Sequence, residues 1–290
     1  MNLRSVTTVS TAHSQLEGGG FMVRRPFPSR GVETLDPLLL LDEMGPVTYG
    51  PGEAVGAPDH PHRGFETVTY MLEGEGAHAD SAGHAGTLRP GDLQWMTAGS
   101  GVVHREMPSK AIQDNGGRVH GFQLWVNLPK ADKMVPPRYQ EIPSASLPEA
   151  TSEDGNASVT VIAGEALGAK AIIATHTPIL YHHWRFKPGA SVELPLPSDH
   201  NVGVYVFEGA ITVAGQRVGR SQIAVLGEGD AVRLEACEDA QALVLGGRPL
   251  NEPVAWWGPF VMNSQGEIKK AMIDFQEGKM GRIPPEIVRA

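Results

Sequence analysis

Cysteine is nearly missing from this chain: 290 residues contain one, Cys237. A single thiol excludes an intrachain disulfide, cannot supply the several sulfur ligands of a structural zinc site, and suits a reducing, cytoplasmic setting. Basic runs are missing too. With a formal charge of −9 and no clustered Lys or Arg, the chain lacks what phosphate binding requires, so no direct nucleic-acid partner is expected. Long apolar runs are also lacking. The Leu38-Leu39-Leu40-Leu41 run is far too short to cross a bilayer, and no apolar core follows a basic segment at the N-terminus. No membrane partner and no secretory signal are therefore expected.

Turn-forming residues, in contrast, are plentiful. Thirty-five glycines and twenty-three prolines fall between short apolar runs, which favours many turns and hence β structure. Hydrophobic residues at 41% and charged residues at 20% allow full cores, and the length suits two domains. Residues 1 to 44 read as a strand pair turning at Glu17-Gly18-Gly19-Gly20, followed by an extended segment and a buried strand at Leu38–Leu41. Asp42 and Glu43 are expected to form surface salt bridges. Pro129, Pro136, Pro137, Pro143 and Pro148, set among polar residues, mark an extended connector. The expected division is 1–135, a metal-binding domain; 136–157, the connector; and 158–290, a second domain ending in a helix. That helix is announced by Ser264 and Glu267 as a capping box, with Ile268, Ala271, Met272 and Phe275 on one face and Gly278 at its end.

Six of eleven histidines lie between residues 60 and 120. His60 and His62 are two apart, as are His104 and Glu106. Residues at i and i+2 of a strand share a face, so two such pairs on neighbouring strands can converge on one ion. Three imidazoles and a carboxylate suit Fe(II), Mn(II), Ni(II), Cu(II) or Zn(II). Asp59 or Glu66 can hold a ligating imidazole by its free N–H. His78 and His84 are expected to be exposed or supporting. His120 is expected near the site or bonded to backbone, and His182, His183 and His200 are expected to be structural. Trp95, Trp125 and Met96 are assigned to the core.

The second half echoes the first. Tyr70-Met71-Leu72-Glu73-Gly74 is matched by Tyr205-Val206-Phe207-Glu208-Gly209, and Arg89-Pro90-Gly91-Asp92 by Gly227-Glu228-Gly229-Asp230. Sliding by these echoes sets Pro195 and Pro197 against His60 and His62, and Ala242 and Val244 against His104 and Glu106. The repeat keeps the scaffold and loses all four candidate ligands.

Several longer motifs closely resemble the pirin family of the cupin superfamily. They are Leu35-Asp36-Pro37, Asp59-His60-Pro61-His62-Arg63-Gly64-Phe65-Glu66-Thr67, Pro90-Gly91-Asp92-Leu93-Gln94-Trp95-Met96-Thr97-Ala98-Gly99, His104 with Glu106-Met107-Pro108, Gln123-Leu124-Trp125-Val126-Asn127-Leu128, and Gly258-Pro259-Phe260-Val261-Met262-Asn263. The resemblance implies an all-β bicupin, two antiparallel jelly-roll barrels, with a metal, usually iron, held in the first by His60, His62, His104 and Glu106. It also implies one of two roles. The first is a quercetin 2,3-dioxygenase acting on a flavonol-like molecule and O₂, with Fe(II) as the expected metal; because that reaction needs a hydroxyl deprotonated and Glu106 is the only carboxylate among the four, Glu106 is expected to serve as both ligand and catalytic base. The alternative is an iron-dependent, redox-sensing regulator, transcriptional or metabolic, that binds a protein partner.

Overall fold

The computed structural model describes residues 1–285. Nearly all of its regular structure is antiparallel strand, arranged as two cupin-type barrels with one long helix, Gln265–Gln276, near the C-terminus. The all-β bicupin fold expected from the sequence is thus borne out. Among the described residues no helix is long and apolar enough to cross a membrane.

Compact units follow interleaved segments rather than consecutive stretches divided at 135 and 158. One comprises Ser14–Arg24, Leu41–Ser144 and the described residues from Asn251 onward; the other comprises Met1–His13, Arg25–Leu40 and Ala145–Leu250. Residues 286–290, the tail of the expected second domain, lie outside the described residues. The helix expected in that second domain belongs to the unit that carries the candidate metal residues.

In that unit a four-stranded sheet runs in the order Ala57–His62, Val102–Pro108, Gly76–Asp80, Ala85–Leu88. It faces a seven-stranded sheet in the order Arg138–Ile142, Leu93–Thr97, Phe65–Glu73, Gly117–Asn127, Leu38–Tyr49, Phe21–Phe27, His13–Glu17. Ala57–His62 is an edge strand, which is why it tolerates Pro58 and Pro61 without breaking the ladder. The expected connector carries two short strands. Arg138–Ile142 pairs with Leu93–Thr97, and Glu149–Thr151 pairs with Ala157–Ala163, both as sheet edges. Prolines 136, 137, 143 and 148 flank these short strands, where a missing N–H costs no ladder bond.

The other barrel repeats the topology. Its four-stranded sheet runs Ser191–Pro195, Ala231–Glu235, Ala210–Val213, Gln216–Gly219, and its larger sheet has Asn201–Glu208 and Ala240–Gly247 at the centre. Asn201–Glu208 is the counterpart of Phe65–Glu73, as the first echo implied. The second echo misleads. Arg89–Asp92 leads into a strand of the larger sheet, whereas Gly227–Asp230 leads into a strand of the smaller one. Such turn chemistry recurs wherever a strand begins, so it does not fix register. The counterpart of Val102–Pro108 is Ala231–Glu235, not the strand bearing Ala242 and Val244. The conclusion survives the correction: Val192, Leu194, Val232 and Leu234 are buried in that sheet, within an apolar cluster that includes Val204 and Val206. Apolar side chains fill this barrel by ordinary burial.

Asp42 and Glu43 do not sit on the surface. Both are buried, and Glu43 accepts from Arg24 Nε at 3.1 Å and Nη2 at 2.8 Å and lies 3.0 Å from His120 Nε2. A buried carboxylate must be paired, and the Arg24 guanidinium and the His120 ring supply the pairing. A short helix at Lys110–Asn115, capped by Ser109, was not anticipated.

Candidate metal centre

His60, His62 and His104 each place a ligand atom within 4.8 Å of the others'. This follows from register: His104 lies opposite His60 across the ladder, and Val102 lies opposite His62. Glu106, two residues on, shares the face of His104, and an irregularity between them sets Glu106 against Ala57. Its Oε2 is 3.9 Å from His104 Nε2. His60 Nε2 and His104 Nε2 approach to 2.9 Å. Two imidazole nitrogens bound at right angles to an ion about 2.0–2.1 Å away would be about 3 Å apart, so the pair is spaced for adjacent coordination positions.

Burial prepares the rings to be ligands. His62 and His104 are both held well below the ordinary histidine range, first by desolvation and then by neighbouring imidazoles, which keeps them neutral with a lone pair free. His60 is oriented by backbone: its Nδ1 lies 2.7 Å from the Pro58 carbonyl, which directs Nε2 inward in the neutral ring. Asp59 does not hold an imidazole. It accepts from Arg105 Nε at 2.7 Å. Glu66 accepts from Thr97 Oγ1 at 2.7 Å and lies one residue out of phase with Thr67 and Thr69 along its strand.

Glu106 is gripped from the opposite sheet. Thr69 Oγ1 donates to its Oε1 at 3.0 Å, and Gln123 Nε2 donates to Oε1 at 3.1 Å and Oε2 at 2.9 Å. Neither Thr69 nor Gln123 was singled out from sequence. The available signal was alternation, which sets Gln123 and Trp125 on the face opposite Phe122, Leu124 and Val126. Trp125, assigned to the core, instead stands beside the site, with its ring 5.2 Å from His62 and 4.3 Å from Phe65. Trp95 and Met96 are fully buried as expected.

The corner after His62 is fixed by the C-terminal segment. Gly64 has φ +86°, and a Cβ there would meet the Val261 carbonyl oxygen at 2.0 Å, so only glycine fits. The Arg63 guanidinium donates to Ser100 O at 2.7 Å and to Asp274 Oδ2 at 2.9 Å. Asp274, held well below the usual carboxylate range by the hydrogen bond from Arg63 and then that from Lys279, brings the helix to the ligand corner. Lys133 Nζ is buried and donates to Gly64 O, Asn127 Oδ1 and Val261 O at 2.7, 2.7 and 3.0 Å.

Among the remaining histidines, His78 is buried rather than exposed, stacks on Tyr139 at 5.6 Å, and lies 2.6 Å from Glu141 Oε1. His84 is half exposed and paired with Asp80 at 2.9 Å. His120 Nε2 lies 3.0 Å from Glu43 Oε1. His182 and His183 are buried, and His200 lies 2.8 Å from Asp199 Oδ1, in keeping with structural roles. No second cluster of three or more metal-ligating side chains occurs among the described residues.

A three-histidine cluster on the strands of one antiparallel barrel, duplicated by a barrel with an apolar interior, defines the class: a two-barrel cupin with one candidate metal site. The comparisons narrow the class. Residues 20–126 match Pirin, and residues 181–281 match the Pirin C-terminal cupin domain. Pirin from Homo sapiens is 44% identical over 285 residues, covering 96% of this chain and 94% of that protein. A quercetin 2,3-dioxygenase from Acinetobacter baumannii superposes with a TM-score of 0.92 at 40% identity, covering 97% of this chain and 100% of that one. A bacterial pirin from Escherichia coli, solved with nickel(II), shares the fold at 19% identity, with a TM-score of 0.64, covering 83% of this chain and 100% of that one. This chain belongs to the pirin family.

Proposed function

We propose that this protein is a metal-dependent oxidoreductase that opens flavonols with O₂, using one ion held by His60, His62, His104 and Glu106. The observation that carries the reading is the donor set: three converging imidazoles, two of them held neutral by burial, with one carboxylate beside them. Similarity to the Acinetobacter quercetin 2,3-dioxygenase over nearly the full length supplies the substrate class. Three nitrogens and one oxygen leave positions open on a six-coordinate ion, as catalysis needs and structural zinc does not allow.

A bound divalent ion, with Fe(II) expected and Mn(II), Ni(II), Cu(II) or Zn(II) as alternatives, would supply Lewis-acid pull on the flavonol 3-hydroxyl, and a redox-active one such as Fe(II) would also supply electron transfer toward O₂. The protein's part begins with that hydroxyl. Glu106 accepts its proton, and the resulting flavonolate reacts with O₂, opening the central ring and releasing carbon monoxide without an external reductant. Trp125, half-buried beside His62 and backed by the fully buried Phe65, offers an aromatic ring that suits a planar polyphenol. Glu106→Gln keeps the shape and one oxygen donor but cannot take the proton. The expected outcome is metal content near wild type with turnover reduced on the order of a hundredfold or more, measured as loss of quercetin absorbance and CO release after anaerobic Fe(II) loading. Undiminished turnover would remove Glu106 from the base role.

One observation favours the second reading, a redox-sensing regulator with a protein partner. Val254, Trp257, Met272, Ile273 and Phe275, all in the metal-bearing unit, are exposed apolar side chains. The same assay separates the two. Turnover supports the enzyme, whereas no turnover with any divalent ion, together with a partner bound in only one oxidation state, supports the regulator.

A further inference from the structure

We propose that Thr69 and Gln123 are positioning residues that make Glu106 present a single oxygen to the metal, an inference resting on the reading of Glu106 as a ligand. The two lie directly opposite each other on adjacent strands and project from the same face, so their donors reach one carboxylate together. They give it three hydrogen bonds, unequally divided. Oε1 receives two, from Thr69 at 3.0 Å and Gln123 at 3.1 Å; Oε2 receives one, at 2.9 Å. Oε2 is also the oxygen recorded nearest His104 Nε2, at 3.9 Å. The oxygen with more lone-pair capacity left is therefore the one on the histidine side.

Both donors are fixed in direction. Threonine is stiff at χ1 because it is branched at Cβ. The Gln123 amide is oriented by Trp125, whose Nε1–H points to Gln123 Oε1 at 3.5 Å, turning the NH₂ toward the carboxylate. The opposite amide orientation would set a carbonyl against a carboxylate. Engaging Oε1 from the far sheet opposes a grip by both carboxylate oxygens on one ion. A coordination position stays open for substrate, and Oε1 stays anchored when Oε2 leaves the ion to take a proton.

The test uses Co(II), whose visible bands report coordination number, on the full-length protein. Thr69→Val and Gln123→Met remove the donors at nearly constant volume. Each should lower Co(II) affinity, measured against a chromophoric chelator, by about tenfold and shift the bands toward higher coordination, with Thr69→Ser restoring both. In a Glu106→Gln background, Thr69→Val should have no further effect on the bands, because its action runs through the carboxylate. Wild-type affinity and bands in Thr69→Val and Gln123→Met would overturn the inference, as would equal effects with and without Glu106. If Glu106→Gln alters the spectrum while those variants do not, the positioning role falls and the ligand reading stands. If Glu106→Gln leaves the spectrum unchanged, both fall.

Discussion

At the scale of single residues, burial holds particular histidines neutral. His62 and His104 lose charge to desolvation at the site, and His182 does so in the other barrel, where burial pulls it down to about 4. A histidine whose folded pKa lies below its unfolded value of about 6.5 stabilises the native state fully above pH 6.5, and that contribution is lost as pH falls through the folded value. For His182 the difference amounts to about 3 kcal/mol between pH 7 and pH 4. Urea unfolding of His182→Leu should show acid sensitivity weaker by about that amount over this window. A pH profile parallel to wild type would contradict it. His60 with His62, and His104 with Glu106, could be singled out in the sequence because strand period places each pair on one face of its strand; strand register then sets His104 opposite His60. Thr69, Gln123 and Glu43 could not, because a lone polar residue on a strand carries no sign of whether its partner lies in water or in the facing sheet.

At the scale of elements, local rules held where local chemistry governs and failed where tertiary pairing does. Ser264 does cap the final helix, accepting from Glu267 N at 3.3 Å, and Gly278 follows it at φ +76°. The expected face was only half right: Ile268 and Ala271 are buried, but Met272 and Phe275 are exposed and Asp274 is turned inward. A buried partner, Arg63, draws that carboxylate in, which no apolar periodicity can foretell. The connector prolines looked like a linker because edge strands and linkers share the same composition. Lys133 shows how the C-terminal segment supports the ligand corner, joining Gly64 and Val261 through one ammonium. Lys133→Met leaves three acceptors without their donor and should cost about 3 kcal/mol in chemical denaturation, since unpaired buried acceptors cost about 1–3 kcal/mol each and the relief of burying no charge offsets part. The same variant should release its metal to a chelator faster than wild type. Unchanged stability and unchanged release would show that the corner holds without it.

At the scale of the whole molecule, one scaffold is used twice with opposite interiors. In the barrel with the candidate metal residues the register turns His60, His62, His104, Glu106, Thr69 and Gln123 toward a common space. In its topological repeat the corresponding sheet contributes Val192, Leu194, Val232 and Leu234 to an apolar core. The sequence comparison reached this asymmetry through one sound echo and one misaligned one; only strand order could tell them apart. The asymmetry also makes the most direct test. Metal content per chain, measured by mass spectrometry of acid-digested protein after loading and desalting, should be one for wild type and near zero for His60→Ala/His62→Ala/His104→Ala. Two ions per chain in the wild type, or one ion retained by the triple variant, would contradict the account.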